Sequence, residues 1–390
     1  MSHLHNIFTA VPPYAYHQDY AMTCMKRWVK DRVLQRMVHH VYRQSGIKQR
    51  FSVLRDFQPD SLPIIFREEA DGTLVEPTTG ERNAVYEKTY PALARAAVQG
   101  LFDQTPWIRP SDVTHVITVS CTGFCNPGPD LFLVNTFALS PSVERYHLGF
   151  MGCYAAFPAL RMADQICRAN PKAVVLILSV ELCSLHLQIK PTPDSLLANA
   201  LFADGAAAVL VGGQPPPVGT RGLSLEHFAT RLIPDSEKDM AWTIGDRGFD
   251  MTLSSYVPKI LGLHARELLV DVVSESGCGM DEIAGWAVHP GGKSILQVLE
   301  SQMNWSPDEG PLALSHRVLH DYGNMSSATI LFVLKAILDQ SALPDAAVLG
   351  ALAFGPGLTV EFGLLRLTGE RTQPASEVDA AIPIAAGIAV

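Results

Sequence analysis

The sequence predicts an α/β protein whose sheets are covered on both faces and whose chain is organised as two halves of comparable size. Three observations carry this. Apolar runs of strand length alternate with amphipathic helical stretches. A Pro/Gly cluster, GGQPPPVGTRG at 212–222, interrupts the pattern near mid-chain. Each half repeats one order of events: a strand ending in small or reactive residues, a glycine-flanked turn into a helix, and a closing strand rich in Ala, Val and Gly.

In chain order, strands are expected at 113–120, 173–180, 206–211, 284–288, 347–354 and 358–367, with helices at 160–168 and 328–338 among them. The strands are continuous apolar runs rather than alternating ones, as expected where both sheet faces are buried between helices. The last residues, 372–390, mix Ala, Pro and Ser and are expected to form a loose tail.

Composition narrows the function. Hydrophobic residues make up 47% and charged residues 18% of 390, a globular balance with enough chain for two cores. A net charge of -9 excludes a general nucleic-acid binder, which needs a broad basic surface. Between Lys26 and Arg55, however, nine basic residues face the single acid Asp31, a local +8 that suits a small polyanionic substrate. The start, MSHLHNIFTAVPPYAY, has no charged segment followed by an apolar run, and no stretch is apolar enough to span a membrane. A cytoplasmic protein without stable membrane insertion is expected. Seven scattered cysteines form an odd set that suits reduced thiols.

Three residues stand where chemistry is carried. Cys153, in GFMGCYAAFPALRMADQI, precedes a helical pattern in which Pro158 is tolerable only in the first turn, so its sulfur lies near a helix N-terminus that favours a thiolate. A buried inert thiol is the alternative. His289 ends the apolar GWAV and is followed by Pro290, Gly291 and Gly292, a position that core packing does not explain. Asn324, in YGNMSSATILFVLK, stands between a glycine and a helix of small residues, where a simple N-cap is the alternative. A thiolate that attacks a thioester, with an imidazole and an amide donating to the developing oxyanion, is the equipment of acyl transfer.

The segments GCYAAFPALR, WAVHPGGKSIL, YGNMSSATILF and AFGPGLTVEFGLLR, in this order along nearly the whole chain, resemble the type III polyketide synthases, the chalcone and stilbene synthase family of the thiolase superfamily. The resemblance implies a duplicated thiolase-like αβαβα five-layer fold. Its N-terminal half, 1–215, would carry the nucleophile Cys153, and its C-terminal half, 216–390, would carry His289 and Asn324. It implies a homodimer, no cofactor, no metal, and acyl-CoA and malonyl-CoA as substrates.

By the same resemblance Cys153, His289 and Asn324 are catalytic. Phe202 and Met251 hold the two gatekeeper positions, the second being a phenylalanine in plant members. Cys121, Thr122, Cys183, Leu185, His186 and Ser326 fall on cavity-lining positions. The GFGPG loop of the family is present as Phe354, Gly355, Pro356 and Gly357, with Ala353 in place of its first glycine. The CoA-binding basic residues of plant members do not map directly, since His40 and Gln44 occupy two of their places. Arg36 and Arg43, seven apart on one helical face, are the substitutes. A flexible thioether at 251 and the change to Cys183 and His186 favour a fatty over an aromatic starter. CTGFCNPGPDL, GCYAAFPAL and ELCSLHLQ look most like bacterial members that make alkylresorcinols or alkylpyrones.

Other readings are weaker. Cys121, Cys125 and His186 match no common zinc spacing. A papain-like protease shares the Cys-His-Asn set but not the α/β pattern. An initiating ketoacyl synthase shares the three residues but not the glycine–proline loop, and a non-catalytic partner subunit does not need all three.

Overall fold

A computed structural model describes residues 1–58, 62–254, 257–307, 310–340 and 342–369, together with the short strand Ile382–Pro383. The expectation for 372–390 otherwise lies outside the described residues.

Nine longer strands form the main sheet: β1 Ser2–Val11, β2 His115–Ser120, β3 Glu144–Gly149, β4 Val174–Leu182, β5 Asp204–Gly212, β6 Gly222–Leu232, β7 Ile283–Val288, β8 Val348–Gly355 and β9 Thr359–Thr368. Their order is β7-β8-β9-β6-β1-β5-β4-β2-β3, and Ile382–Pro383 pairs with β1. All six strand expectations are met within a few residues, because each is a buried run that only a covered sheet accommodates. The cluster at 212–222 links β5 to β6. These strands lie on either side of β1, which pairs with β6 only through Ser2, His3 and Leu4. That short junction divides the sheet into two parts, one per half of the chain.

The helices are α1 Gln18–Trp28, α2 Arg32–Gln44, α3 Thr79–Asp103, α4 Pro129–Phe137, α5 Ala156–Ala169, α6 Pro193–Leu201, α7 Val257–Glu275, α8 Lys293–Met303, α9 Ala313–Tyr322 and α10 Thr329–Gln340. Three buried clusters define the layers. One packs α3 on the outer face of β1, β4 and β5, through Leu93, Ala97 and Leu101 against Leu176, Leu178 and Leu210. A central cluster places α5 and α10 between the two sheet parts, with Phe157, Leu160, Ile330 and Leu334 touching both sides. The third packs α7 and α8 on the far face through Leu261, Leu269, Leu296 and Leu299. The sequence of layers is therefore helix, sheet, helix, sheet, helix. Outside it, α1, α2, α6 and the hairpin Met240–Gly245/Gly248–Leu253 cap one end of the N-terminal strands.

Candidate active site

Every candidate catalytic residue sits at the end of a main-sheet strand or in a turn leading to a central-layer helix. Cys153 lies in the turn before α5, whose first residue is Ala156, so Pro158 does fall in the first turn. His289 follows β7 directly, and its backbone N–H continues the ladder to Leu352 O at 2.8 Å. Asn324 follows Gly323, which closes α9 with φ 75°. The chain then forms a parallel bridge to Phe202, with Asn324 N donating to Leu201 O at 2.9 Å and Ala203 N to Asn324 O at 2.8 Å. Asn324 is not a plain N-cap. Its Oδ1 accepts from Ser326 N at 2.9 Å, and its Nδ2 donates to Gly291 O at 3.1 Å, one residue past Pro290.

These three side chains line one cavity. Phe202, Met251, Cys121, Thr122, Cys183, Ser326, Phe354 and Pro356 line it too. Gly355 and Gly357 act by shape instead. A Cβ on Gly355 would sit 2.2 Å from Tyr154 Cδ1, and one on Gly152 would sit 2.4 Å from Pro356 Cδ. The turn carrying Cys153 and the turn between β8 and β9 are thus interlocked at distances only glycine permits. Gly357 completes the second turn at φ 110°.

Four of the expected residues lie outside the cavity that holds Cys153. Leu185 is not among the residues lining the cavity of Cys153: it is fully buried in the core under α3. His186 lines the neighbouring cavity, not the one holding Cys153. Its Nε2–H donates to Thr122 O at 2.8 Å and its Nδ1 accepts from Phe249 N at 3.1 Å, which also leaves no lone pair for zinc. Arg36 and Arg43 are exposed on α2 and line neither cavity, and Arg43 pairs with Asp19 at 3.2 Å. The seven-residue spacing put them on one helical face, but that face points to solvent. Among the described residues no group of three or more His, Cys, Asp or Glu is placed to hold a metal ion.

The electrostatics also differ from expectation. Burial pushes the Cys153 thiol up to about 12, with hydrogen bonds from Ser326 and Asn324 acting the other way. Burial pushes the His289 imidazole down to about 3. Both groups are therefore neutral at rest, and the helix terminus does not by itself make a thiolate. Neither ring nitrogen of His289 has a hydrogen-bond partner, although both are buried. A neutral imidazole with two unmet nitrogens, beside a thiol and an amide, is equipped to receive a proton and to donate to an oxyanion brought by a ligand.

Two residues were missed. Glu181, on β4, is fully buried and accepts from Cys121 N at 2.9 Å, Thr122 Oγ1 at 2.9 Å and Ser327 Oγ. It ties the cavity wall to the start of α10, and burial raises its carboxyl to about 7. A lone acid in the apolar run VVLILSVEL was the available signal. Trp242, on the hairpin, lines the same cavity as the catalytic residues, and no local motif marks it.

The fold and the cavity define a thiolase-like acyltransferase. Residues 2–215 match the family model of the N-terminal domain of chalcone and stilbene synthases, and residues 224–368 match that of the C-terminal domain. The chain belongs to this family, the type III polyketide synthases. It is 30% identical to type III polyketide synthase C of Arabidopsis thaliana over 88% of this chain and 87% of that protein. A match of 32% identity to probable polyketide synthase 1 of Dictyostelium discoideum takes in 83% of this chain but only 10% of that much longer protein. The solved structure of 1,3,6,8-tetrahydroxynaphthalene synthase from Streptomyces coelicolor superposes with a TM-score of 0.81 at 28% identity, over 94% of this chain and 100% of that one.

Proposed function

We propose that this chain elongates an acyl-CoA starter with malonyl-CoA on Cys153, and that its starter is a fatty acyl group, with an alkylresorcinol or alkylpyrone as product. The observation that carries the catalytic reading is the buried His289, with two unpartnered nitrogens, sharing one cavity with Cys153 and Asn324.

The Cys153 sulfur attacks the starter thioester carbonyl. A C–S bond to the enzyme forms, the bond to CoA breaks, and the thiol proton passes by way of His289 Nε2 to the departing CoA sulfur. Malonyl-CoA then loses carbon dioxide, and the electron pair of the broken C–C bond becomes an enolate. The negative oxygen is held by His289 N–H and Asn324 Nδ2–H. The enolate carbon attacks the Cys153 thioester, the C–S bond breaks, and the lengthened chain leaves on CoA ready to return. The Cys153 thiolate released in this step takes up one proton from solvent to return to the resting thiol, which balances the carboxylate charge lost with the carbon dioxide. No cofactor takes part in these steps.

The two halves, 1–215 and 216–390, are read as one catalytic unit, since the nucleophile comes from the first and the two donors from the second. A homodimer is supported by β3, an edge strand whose residues Glu144, Arg145, Tyr146 and His147 are exposed. A cytoplasmic setting is supported by seven free cysteines. No helix among the described residues is long and apolar enough to cross a membrane.

The test is incubation with malonyl-CoA and a panel of starters from acetyl-CoA to hexadecanoyl-CoA and p-coumaroyl-CoA, with product masses read out. Malonyl-dependent products are expected, with the largest kcat/KM on a medium or long alkyl chain. Preference for p-coumaroyl-CoA over every fatty acyl-CoA would overturn the starter assignment and leave the condensing reaction standing.

A further inference from the structure

Cys153 precedes the link at 212–222 in the chain, whereas His289, Asn324 and the Phe354–Gly357 turn follow it. The reacting groups therefore meet correctly only where α5, which begins just after Cys153, is held accurately against β6 and β9. One such contact is a buried charge. Glu361, on β9 just past the Phe354–Gly357 turn, is 2% exposed. Its Oε2 accepts from Arg161 Nη2, on the second turn of α5. Its Oε1 accepts from Thr230 Oγ1 at 3.0 Å, and Thr230 is the residue opposite it on β6. Thr230 Oγ1 in turn accepts from Arg161 Nη2 at 2.7 Å, which closes a ring of three side chains.

This ring is continuous with the turns that build the site. Thr359, two residues before Glu361 on the same strand, donates from Oγ1 to Pro356 O at 2.8 Å. Pro356 is the residue against which Gly152 closes, one position from Cys153. Two features mark the pair as a device for placement rather than for stability. Arg161 meets the carboxylate through one nitrogen instead of a two-pronged fork, and its Nε is buried without a partner. The water that a buried pair gives up offsets its attraction, so that apolar residues in its place are often as stable. Burial indeed raises the Glu361 carboxyl, with Arg161 acting the other way.

We propose that Arg161 and Glu361, joined through Thr230, are positioning residues that set where Cys153 stands relative to His289 and Asn324. Neither lines the cavity, and both act through Pro356 and Gly152. The inference rests on the roles given above to Cys153, His289 and Asn324 and is independent of which starter is used. It separates the two half-reactions. Loading of Cys153 needs the sulfur and His289 in register across the two halves of the chain. Decarboxylation of malonyl-CoA needs only His289 and Asn324, which stand on the same side of the link.

The experiment uses the full chain and follows both half-reactions. Acylation of Cys153 without malonyl-CoA is read by rapid quench and intact mass, with hexanoyl-, hexadecanoyl- and p-coumaroyl-CoA as probes. Carbon dioxide release is read from malonyl-CoA alone. Arg161→Met combined with Glu361→Leu replaces both charges by apolar side chains, and Glu361→Gln keeps the shape while removing the charge that holds Arg161. Each is expected to slow acylation by about ten- to a hundredfold, the effect of a small misplacement of a reacting atom, and to keep carbon dioxide release within about twofold of wild type. Arg168, two turns further along α5, donates to Leu225 O and Glu226 O on β6 at 3.2 and 3.0 Å, and Arg168→Met is expected to leave both rates within about twofold. The two charge variants are separate proteins, so that misfolding of one leaves the other to report. A variant that keeps the wild-type melting temperature and loads Cys153 within about twofold of wild type overturns the proposal. An equal fall in both half-reactions, or the same selective fall in Arg168→Met, shows general loosening and overturns it as well. A wild type that none of the three probes acylates on Cys153 overturns the catalytic reading itself.

Discussion

The two walls of the catalytic cavity are built on different principles. The wall that carries Cys153 and the Phe354–Gly357 turn is fixed by backbone. Glycines 152 and 355 let two turns approach until a single added methyl would clash at 2.4 and 2.2 Å. Another part of the wall is assembled from side chains, with Phe202 from the end of α6, Trp242 and Met251 from a two-stranded hairpin, and Cys183 from just after β4. The first arrangement holds reacting atoms in place, where an error of an ångström is costly to rate. The second can change by substitution without disturbing the sheet, so that is where substrate choice can vary.

The contrast is sharpest in the catalytic groups themselves. His289→Ala or Asn324→Ala removes a donor to the enolate and is expected to lower kcat of condensation by about two to three orders of magnitude. Cys153→Ala should abolish starter-dependent condensation yet keep slow malonyl-CoA decarboxylation, because the two donors remain. Product masses and carbon dioxide release, measured together, separate the two effects.

Next in size is a challenge to the interlocked turns. Gly355→Ala drives a methyl into Tyr154 and is expected to destabilise the fold by about 1–3 kcal/mol, seen as a lowered midpoint in urea. Met251→Leu in the side-chain part of the wall should leave that midpoint nearly unchanged. Equal losses from both would erase the distinction drawn here.

A third prediction concerns Glu181, which braces the fixed wall. Its carboxyl is raised to about 7 in the fold from an ordinary 4.5, so folding favours its protonated form. The stability this gives is complete below pH 4.5 and is lost as pH rises through 7. The loss amounts to on the order of 3 kcal/mol for a fully buried group. The stability of wild type relative to Glu181→Gln, read from the gap between their urea midpoints, should therefore rise on going from pH 8 to pH 5. His289, depressed from 6.5 to about 3, acts in the opposite sense as pH falls below 6.5, and comparing wild type with Glu181→Gln at each pH cancels its contribution. An identical pH dependence in both proteins would refute the role given to Glu181.

The smallest effect is expected away from both walls. Arg43 pairs with Asp19 on the surface, where such pairs contribute about 0–1 kcal/mol. Arg43→Ala should change KM for malonyl-CoA less than about twofold, and a tenfold rise would restore it as a phosphate contact.

The sequence by itself determined the layered α/β architecture, because short, nearly continuous apolar runs such as 173–180 and 206–211, alternating with helical patterns, suit a sheet buried on both faces. It also marked Cys153, His289 and Asn324, because each sits where a strand or helix ends against glycine and the local pattern is visible within a few residues. Tertiary structure alone decided the rest. Whether Arg36 and Arg43 face the substrate or solvent depends on how α2 packs, which helical spacing does not encode. That Leu185 turns into the core while Trp242 enters the cavity depends on contacts between segments more than fifty residues apart, among them Phe249 N with His186 Nδ1 at 3.1 Å. The protonation of Cys153 was decided there too, since helix-end polarity is local whereas desolvation is summed over every surrounding wall.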